Sequence, residues 1–284
     1  MKPGHRDEES WVMTTNTGLE PTPAPLSTSS TPAESTKPSF FRRAALIVTA
    51  FLAGLLPVVF ALNLSRMLLT GELSEHRFHQ ATGQGLLLCA LWLVPIIGMV
   101  RAGWRGRRPS TALGLQHLAF VTTGIICSAI APGGGAPFLL GVIAVTGGLL
   151  WLALPLRPRL RTGIQIDPVL APIALVGSAL LLPYIVDQLA AQNATVSGLH
   201  AENPHFFDQA WMSACLIVLA IAAALFPAAR HLVLWFAGSA IVVGAAGLLF
   251  GESILWSLLV LGVGVGAAVA SLLARKSSAA RIPA

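Results

Sequence analysis

Residues 44–65 read "AALIVTAFLAGLLPVVFALNLS", a run without a charged side chain that begins directly after Arg42 and Arg43. Crossing the hydrocarbon core of a bilayer takes about 20 mostly apolar residues in a helix. This run is long enough, and seven more follow, at roughly 83–101, 112–131, 137–156, 169–189, 207–228, 231–250 and 254–274. All are rich in Leu, Ala, Val and Gly and lack the strict alternation of a barrel strand. In lipid every backbone N–H and C=O has to be satisfied within the protein, so such runs are read as helices. The fold class is all-α, a polytopic membrane protein of eight transmembrane helices.

Composition excludes an ordinary soluble domain. The chain is 55% hydrophobic and 11% charged, with a mean hydropathy of +0.74, where a soluble domain carries about 25% charged residues. Pro57, Pro95 and Pro183 lie inside apolar runs. Packed membrane helices tolerate this, and it predicts kinks. Residues 1–39, with "LEPTPAPLSTSSTPAESTKPS", are dominated by Pro, Ser, Thr and Glu; they predict a disordered cytoplasmic tail without a secretory h-region. Met13 is a candidate start. Cys89, Cys127 and Cys215 are scattered and odd in number, which fits small core residues and neither a disulfide framework nor a CxxC site.

Arginines set the expected orientation. Arg101, Arg105, Arg107 and Arg108 follow the second run, Arg157, Arg159 and Arg161 the fourth, Arg230 the sixth, and Arg275, Lys276 and Arg281 the eighth. Under the positive-inside rule these loops and both termini are cytoplasmic. The outer loops carry only Arg66 and Arg77 as cations, beside Glu72, Glu75, Asp187, Glu202, Asp208 and Glu252. The sequence pI of about 10.0 is then a topology signal. It predicts the lipid bilayer as partner, with anionic lipid at the Arg-rich cytoplasmic loops, no nucleic acid, and room for a membrane protein partner. No charged residue falls near a run's centre. Ion-driven transporters usually keep such residues there, so a secondary transporter is the second reading.

"SEHRFHQA" at 74–81 returns as "NPHFFDQA" at 203–210, "LLP" at 55–57 returns at 181–183, and "QHLAF" at 116–120 has its counterpart in "RHLVLWF" at 230–236. Order and spacing agree. We expect two tandem four-helix units in parallel orientation, residues 40–162 and 163–284, the second ending in a short cytoplasmic tail. Ser74 and Asn203 suit N-caps, and Pro204 suits the first helical position. His76 with His79, and His205 with Asp208, are spaced i and i+3, so each pair shares a helical face.

If the second helices of the two units flank a common axis, His76, His79, His205 and Asp208 converge at the outer mouth. Imidazoles with a carboxylate suit a transition metal such as zinc, copper or iron, with His200 or Glu202 completing the shell. One histidine from each unit also suits axial ligation of haem. The competing expectation is that His76 and His205 cap helices at headgroup depth, with Phe78, Phe207 and Trp211 in the aromatic belt. His117 and His231, about a helix length away, read as interface residues of the opposite side.

Eight helices in two tandem fours with paired histidines, and the word "EHRFHQ", resemble haem A synthase in outline. That resemblance implies a metal- or haem-binding membrane oxidoreductase. The chain departs from the family in having no histidine in 137–156 or 254–274, in placing Glu72 four residues before His76, and in offering Asn203-Pro204-His205 where a His-Arg word belongs.

There is no P-loop, GxSxG, HExxH or CxxC, so no catalytic residue is assigned. "APGGGAP" at 131–137 reads as a short outer turn, and "GGLLWLALP" and "LGVGVGAAVA" as close-packing helix faces. "NAT" at 193–195 fits an outer-loop sequon. Arginine far exceeds lysine and alanine is abundant, which favours a bacterial inner membrane. The function expected is that of an accessory or small-molecule-handling membrane protein, with a transporter, or a metal- or haem-binding oxidoreductase, as alternatives.

Overall fold

The computed structural model describes residues 39–71, 76–133, 136–160, 163–198 and 204–279, the side chains of 274–279 excepted. Most of the N-terminal tail, Ser74 and Asn203 as caps, and Glu72, Glu75, His200 and Glu202 lie outside the described residues. Eight long helices run in order: α1 Phe40–Thr70, α2 Arg77–Trp104, α3 Thr111–Ile130, α4 Ala136–Ala153, α5 Leu170–Ala194, α6 His205–Leu225, α7 Leu232–Phe250 and α8 Ile254–Ala279. Each is long and apolar enough to cross a membrane, and no strand occurs among the described residues. The helices coincide with the eight apolar runs but extend past several of them, α1 taking in Arg42 and Arg43 at its first turn.

Local chemistry fixes the ends. The Ser39 hydroxyl accepts from Arg42 N–H to open α1, and Gly71 closes it at φ 74°, a left-handed conformation that suits glycine. Ser110 caps α3 in the same way, on Leu113 N–H. Asp167 Oδ1 accepts from the N–H groups of Val169 and Leu170 at the start of α5, while its Oδ2 stands 3.2 Å from Arg230 Nε. The same segment serves the end of α6. Asp167 N–H donates to Ala224 C=O and Gln165 N–H to Leu225 C=O, two carbonyls that a helix end leaves without internal donors.

A proline inside a membrane helix leaves the carbonyl four residues earlier without its N–H, and in lipid that oxygen has no water to turn to. For two of the three prolines, that carbonyl is met by a side chain from another helix. Pro57 leaves Ala53 C=O, which accepts from Trp92 Nε1 at 3.1 Å. Pro95 leaves Leu91 C=O, which accepts from Gln116 Nε2 at 3.4 Å. Near Pro183 the indole contact falls one residue later, Leu180 C=O and not the Ala179 carbonyl accepting from Trp256 Nε1 at 3.3 Å. Trp92→Phe is therefore expected to cost about 1–3 kcal/mol, the usual penalty for a buried polar group left without a partner. Adding Pro57→Ala, which restores an N–H for Ala53, should recover most of it. Thermal unfolding in detergent checks this; an equal loss in both backgrounds would show that the indole does not serve that carbonyl.

Helix α2 has an unusual middle. From Gln80 to Leu93 it is a π-helix, with α-helical turns before and after. Such segments are rare and widen the helix, and this one ends immediately before Pro95, whose missing N–H already interrupts the α ladder.

Helix α6 is the centre of the bundle. Its most hydrophobic window is 72% buried, against 17% for α1. It packs on α2, α3, α5 and α7. Among the first four helices, α1 touches α2 and α4, and α3 touches α2 and α4; among the last four, α5 touches α6 and α8, and α7 touches α6 and α8. Between the two sets, α6 meets α2 and α3 while α7 meets α2.

A continuous aromatic stack runs through this centre. The His117 ring lies between Trp151 and Trp92, at 5.6 and 5.0 Å between ring centroids. Trp92 stacks on Phe120 at 4.9 Å, Phe120 meets Trp211 at 4.5 Å with the rings tilted, and Trp211 meets Phe207 at 5.6 Å. Gly147 and Gly124 make room for it: a Cβ at Gly147 would stand 2.5 Å from the Trp92 ring, and one at Gly124 2.6 Å from the Trp211 ring. Small residues also seat α7 against α8, where a Cβ at Gly244 or Gly264 would meet backbone of the other helix at 2.6 or 2.8 Å. Gly262 and Gly266 face open space, so only one glycine of the "GVGVG" stretch takes the packing role expected of it.

Candidate functional site

The repeated word places its histidines at the first turns of α2 and α6. There the imidazoles of His76, His79 and His205 form a triangle, with ring centroids 5.7 Å apart for His76 and His205, 6.3 Å for His79 and His205, and 6.4 Å for His76 and His79. The heads of α2 and α6 thus lie side by side at one end of the bundle. His205 is buried, at 5% exposure, while His76 and His79 are half-buried. His76 and His205 lie nearly parallel, at 15° between ring planes, and the edge of Phe206 closes on the His79 ring at 5.7 Å.

Asp208 follows His205 by three residues on α6, hence on the same face. It is 5% exposed, and its Oδ1 has no hydrogen-bond partner among the described residues. A buried carboxylate oxygen left in this state is costly unless a proton or a cation meets it. Arg77, the first residue of α2, has its Nη2 3.9 Å from where a Cβ of Gly71 would be.

Beneath the triangle a polar clasp joins the two helices. Gln209 Nε2 donates to Thr82 Oγ1 at 2.8 Å and to His79 C=O at 3.4 Å, and Tyr184 Oη donates to Gln209 Oε1 at 3.5 Å. Gly83 lets α6 approach: a Cβ there would stand 2.9 Å from Gln209 Nε2 and 3.1 Å from Asp208 Cβ. Gln192 of α5 braces the head of α6 by accepting from Phe207 N–H at 3.2 Å. Thr82, Gln192 and Tyr184, the chain's one tyrosine, are participants that the repeated word does not announce. Their signal was the presence of polar side chains inside or beside apolar runs, where each needs a partner.

Two nitrogens bound to one ion lie no farther apart than about 4 Å, twice a bond of about 2.0–2.1 Å. Among the described residues no three His, Cys, Asp or Glu side chains are set at ligating geometry. Closing on an ion requires the rings to tilt toward a common point. The chain matches no family model, no curated protein and no solved structure.

Several side chains differ from their expected places. Phe78, Phe207 and Trp211, expected in a headgroup belt, are 3%, 0% and 0% exposed. They face the bundle because α2 and α6 are its central pair. His117, expected at the interface, is buried between two tryptophans, whereas His231 is exposed. Asn193 of the sequon is the penultimate residue of α5, and its amide donates to Ile130 C=O at the end of α3. All three cysteines are free, Cys127 and Cys215 buried and Cys89 half-buried.

Proposed function

We propose that this multi-pass membrane protein binds a transition metal ion at the heads of α2 and α6, through His76, His79, His205 and Asp208. The observation that carries the reading is the buried Asp208 oxygen without a hydrogen-bond partner among the described residues, on the α6 face that also bears one of three clustered imidazoles. Borderline ions such as zinc or copper suit that donor set. Haem is the weaker reading, because axial ligation aims two ring nitrogens at one another across the iron, whereas His76 and His205 present their faces. The role is that of an accessory or small-molecule-handling protein, with a secondary transporter as the second reading; the bundle offers Asp208 as a buried ionisable group for it. The test is purification from membranes followed by elemental analysis and an absorption spectrum. A colourless, metal-free protein that takes up no added zinc or copper would end the proposal.

The tandem arrangement is part of the same reading. Helix adjacency within residues 40–162 repeats within 163–284, and exchanging the two sets turns the α3 to α6 contact into the α7 to α2 contact. A two-fold axis between α2 and α6 accounts for both. Orientation follows from the arginines, placing the histidine end outside and both termini in the cytoplasm. Single cysteines at Ser197 and Ser110, in a background lacking the native three, are expected to react with an impermeant thiol reagent from outside at Ser197 only. Both are exposed. The reverse pattern would invert the topology.

A further inference from the structure

At the arginine-rich end of the bundle an open groove of about 430 Å³ runs between α1 and the last turns of α2. Leu93, Ile97 and Val100 line its length, and Arg101, Trp104 and Arg105 stand where α2 ends. Arg43, from the first turn of α1, lays its guanidinium 5.4 Å from the centroid of the Trp104 ring. Both groove arginines are exposed, and Trp104 is 47% exposed. Asp167, the described carboxylate nearest in sequence to these loops, is engaged with Arg230. The groove is therefore apolar along its length and cationic at one end, with an aromatic ring at the depth where indoles favour the headgroup region.

The geometry points to a bound anionic glycerophospholipid, one acyl chain lying in the groove and the phosphate held by Arg101 and Arg105, with Arg43 behind Trp104. Guanidinium forks match phosphate oxygens in two-point hydrogen bonds. A free phosphate would leave the apolar length unfilled, and a zwitterionic lipid would bring its own cation toward the arginines. Each arginine near an anionic surface favours it by about fivefold in affinity, so the two groove arginines together set a preference of order tenfold or more.

The experiment titrates the full-length protein in detergent with phosphatidylglycerol or phosphatidylcholine carrying brominated acyl chains, which quench nearby indoles on contact. Saturable quenching is expected at about tenfold lower lipid content for phosphatidylglycerol. Arg101→Gln with Arg105→Gln should move that curve onto the phosphatidylcholine one. Trp104→Phe should remove the quenched component, which matters because the chain has 7 tryptophans. The proposal is overturned by equal curves for the two lipids in the parent protein, by an unchanged preference in the double arginine variant, by quenching that survives Trp104→Phe intact, or by displacement of the lipid with inorganic phosphate.

Discussion

His205→Ala is expected to lower the affinity of the full-length protein for zinc or copper by more than 100-fold. His205 is the buried member of the triangle and is 5.7 and 6.3 Å from the other two rings. Its position is fixed by α6, the helix with the most neighbours' surface against it. Changing a group that merely orients a ligand typically costs about 10–100-fold in metal affinity, and removing the best-held ligand should cost more. His76→Ala, at a half-buried position with a neighbour in His79 that can compensate, should lose less. Asp208→Asn keeps the shape and removes the charge, so it should weaken binding while leaving the protein folded. His231→Ala, exposed at the start of α7, serves as the unchanged control. Competition titration against a chromogenic chelator measures the parent and all four variants, and equal affinities for parent and His205→Ala would remove His205 from the site.

The second large effect concerns stability. Trp211→Ala should destabilise the bundle by about 3–5 kcal/mol, the range for truncating a fully buried aromatic side chain. Trp211 is 0% exposed, packs between Phe120 and Phe207, and donates from Nε1 to Phe120 C=O at 2.7 Å. Within lipid the loss is not one of transfer from water. It comes from packing contacts that neither lipid nor neighbouring side chains can replace across a void. Trp104→Ala, at the exposed end of α2, should change unfolding by much less. Thermal or denaturant unfolding in the same detergent compares the two, and similar shifts would mean that α6 is not the packing centre.

Trp211 and Trp104 also mark the limit of what sequence can supply here. Both sit in or next to apolar runs, and nothing in the runs says that one is wholly buried and the other 47% exposed. In water a helix advertises its buried face by apolar periodicity. In a bilayer the buried face and the lipid face are both apolar, so that signal vanishes. The same loss explains why His117 and the Phe78, Phe207 and Trp211 set were misplaced. Polar residues inside or beside the runs are the better guide, since Thr82, Gln116 and Gln209 all find partners across helices.

What the sequence determined by itself was the number and approximate positions of the helices, because hydrocarbon thickness imposes a local length requirement that each run meets or fails alone. It also singled out His76, His79, His205 and Asp208, through a repeated word at equivalent helix starts. The tertiary structure decided the rest: that α2 and α6 are neighbours whose heads bring three imidazoles together, that α6 is the hub, and that the carbonyls freed by Pro57 and Pro95 are met by Trp92 and Gln116. Those outcomes depend on pairs of residues far apart in the chain, and on which faces of nearly uniform helices pack, a choice made by shape and hydrogen bonding rather than by hydropathy.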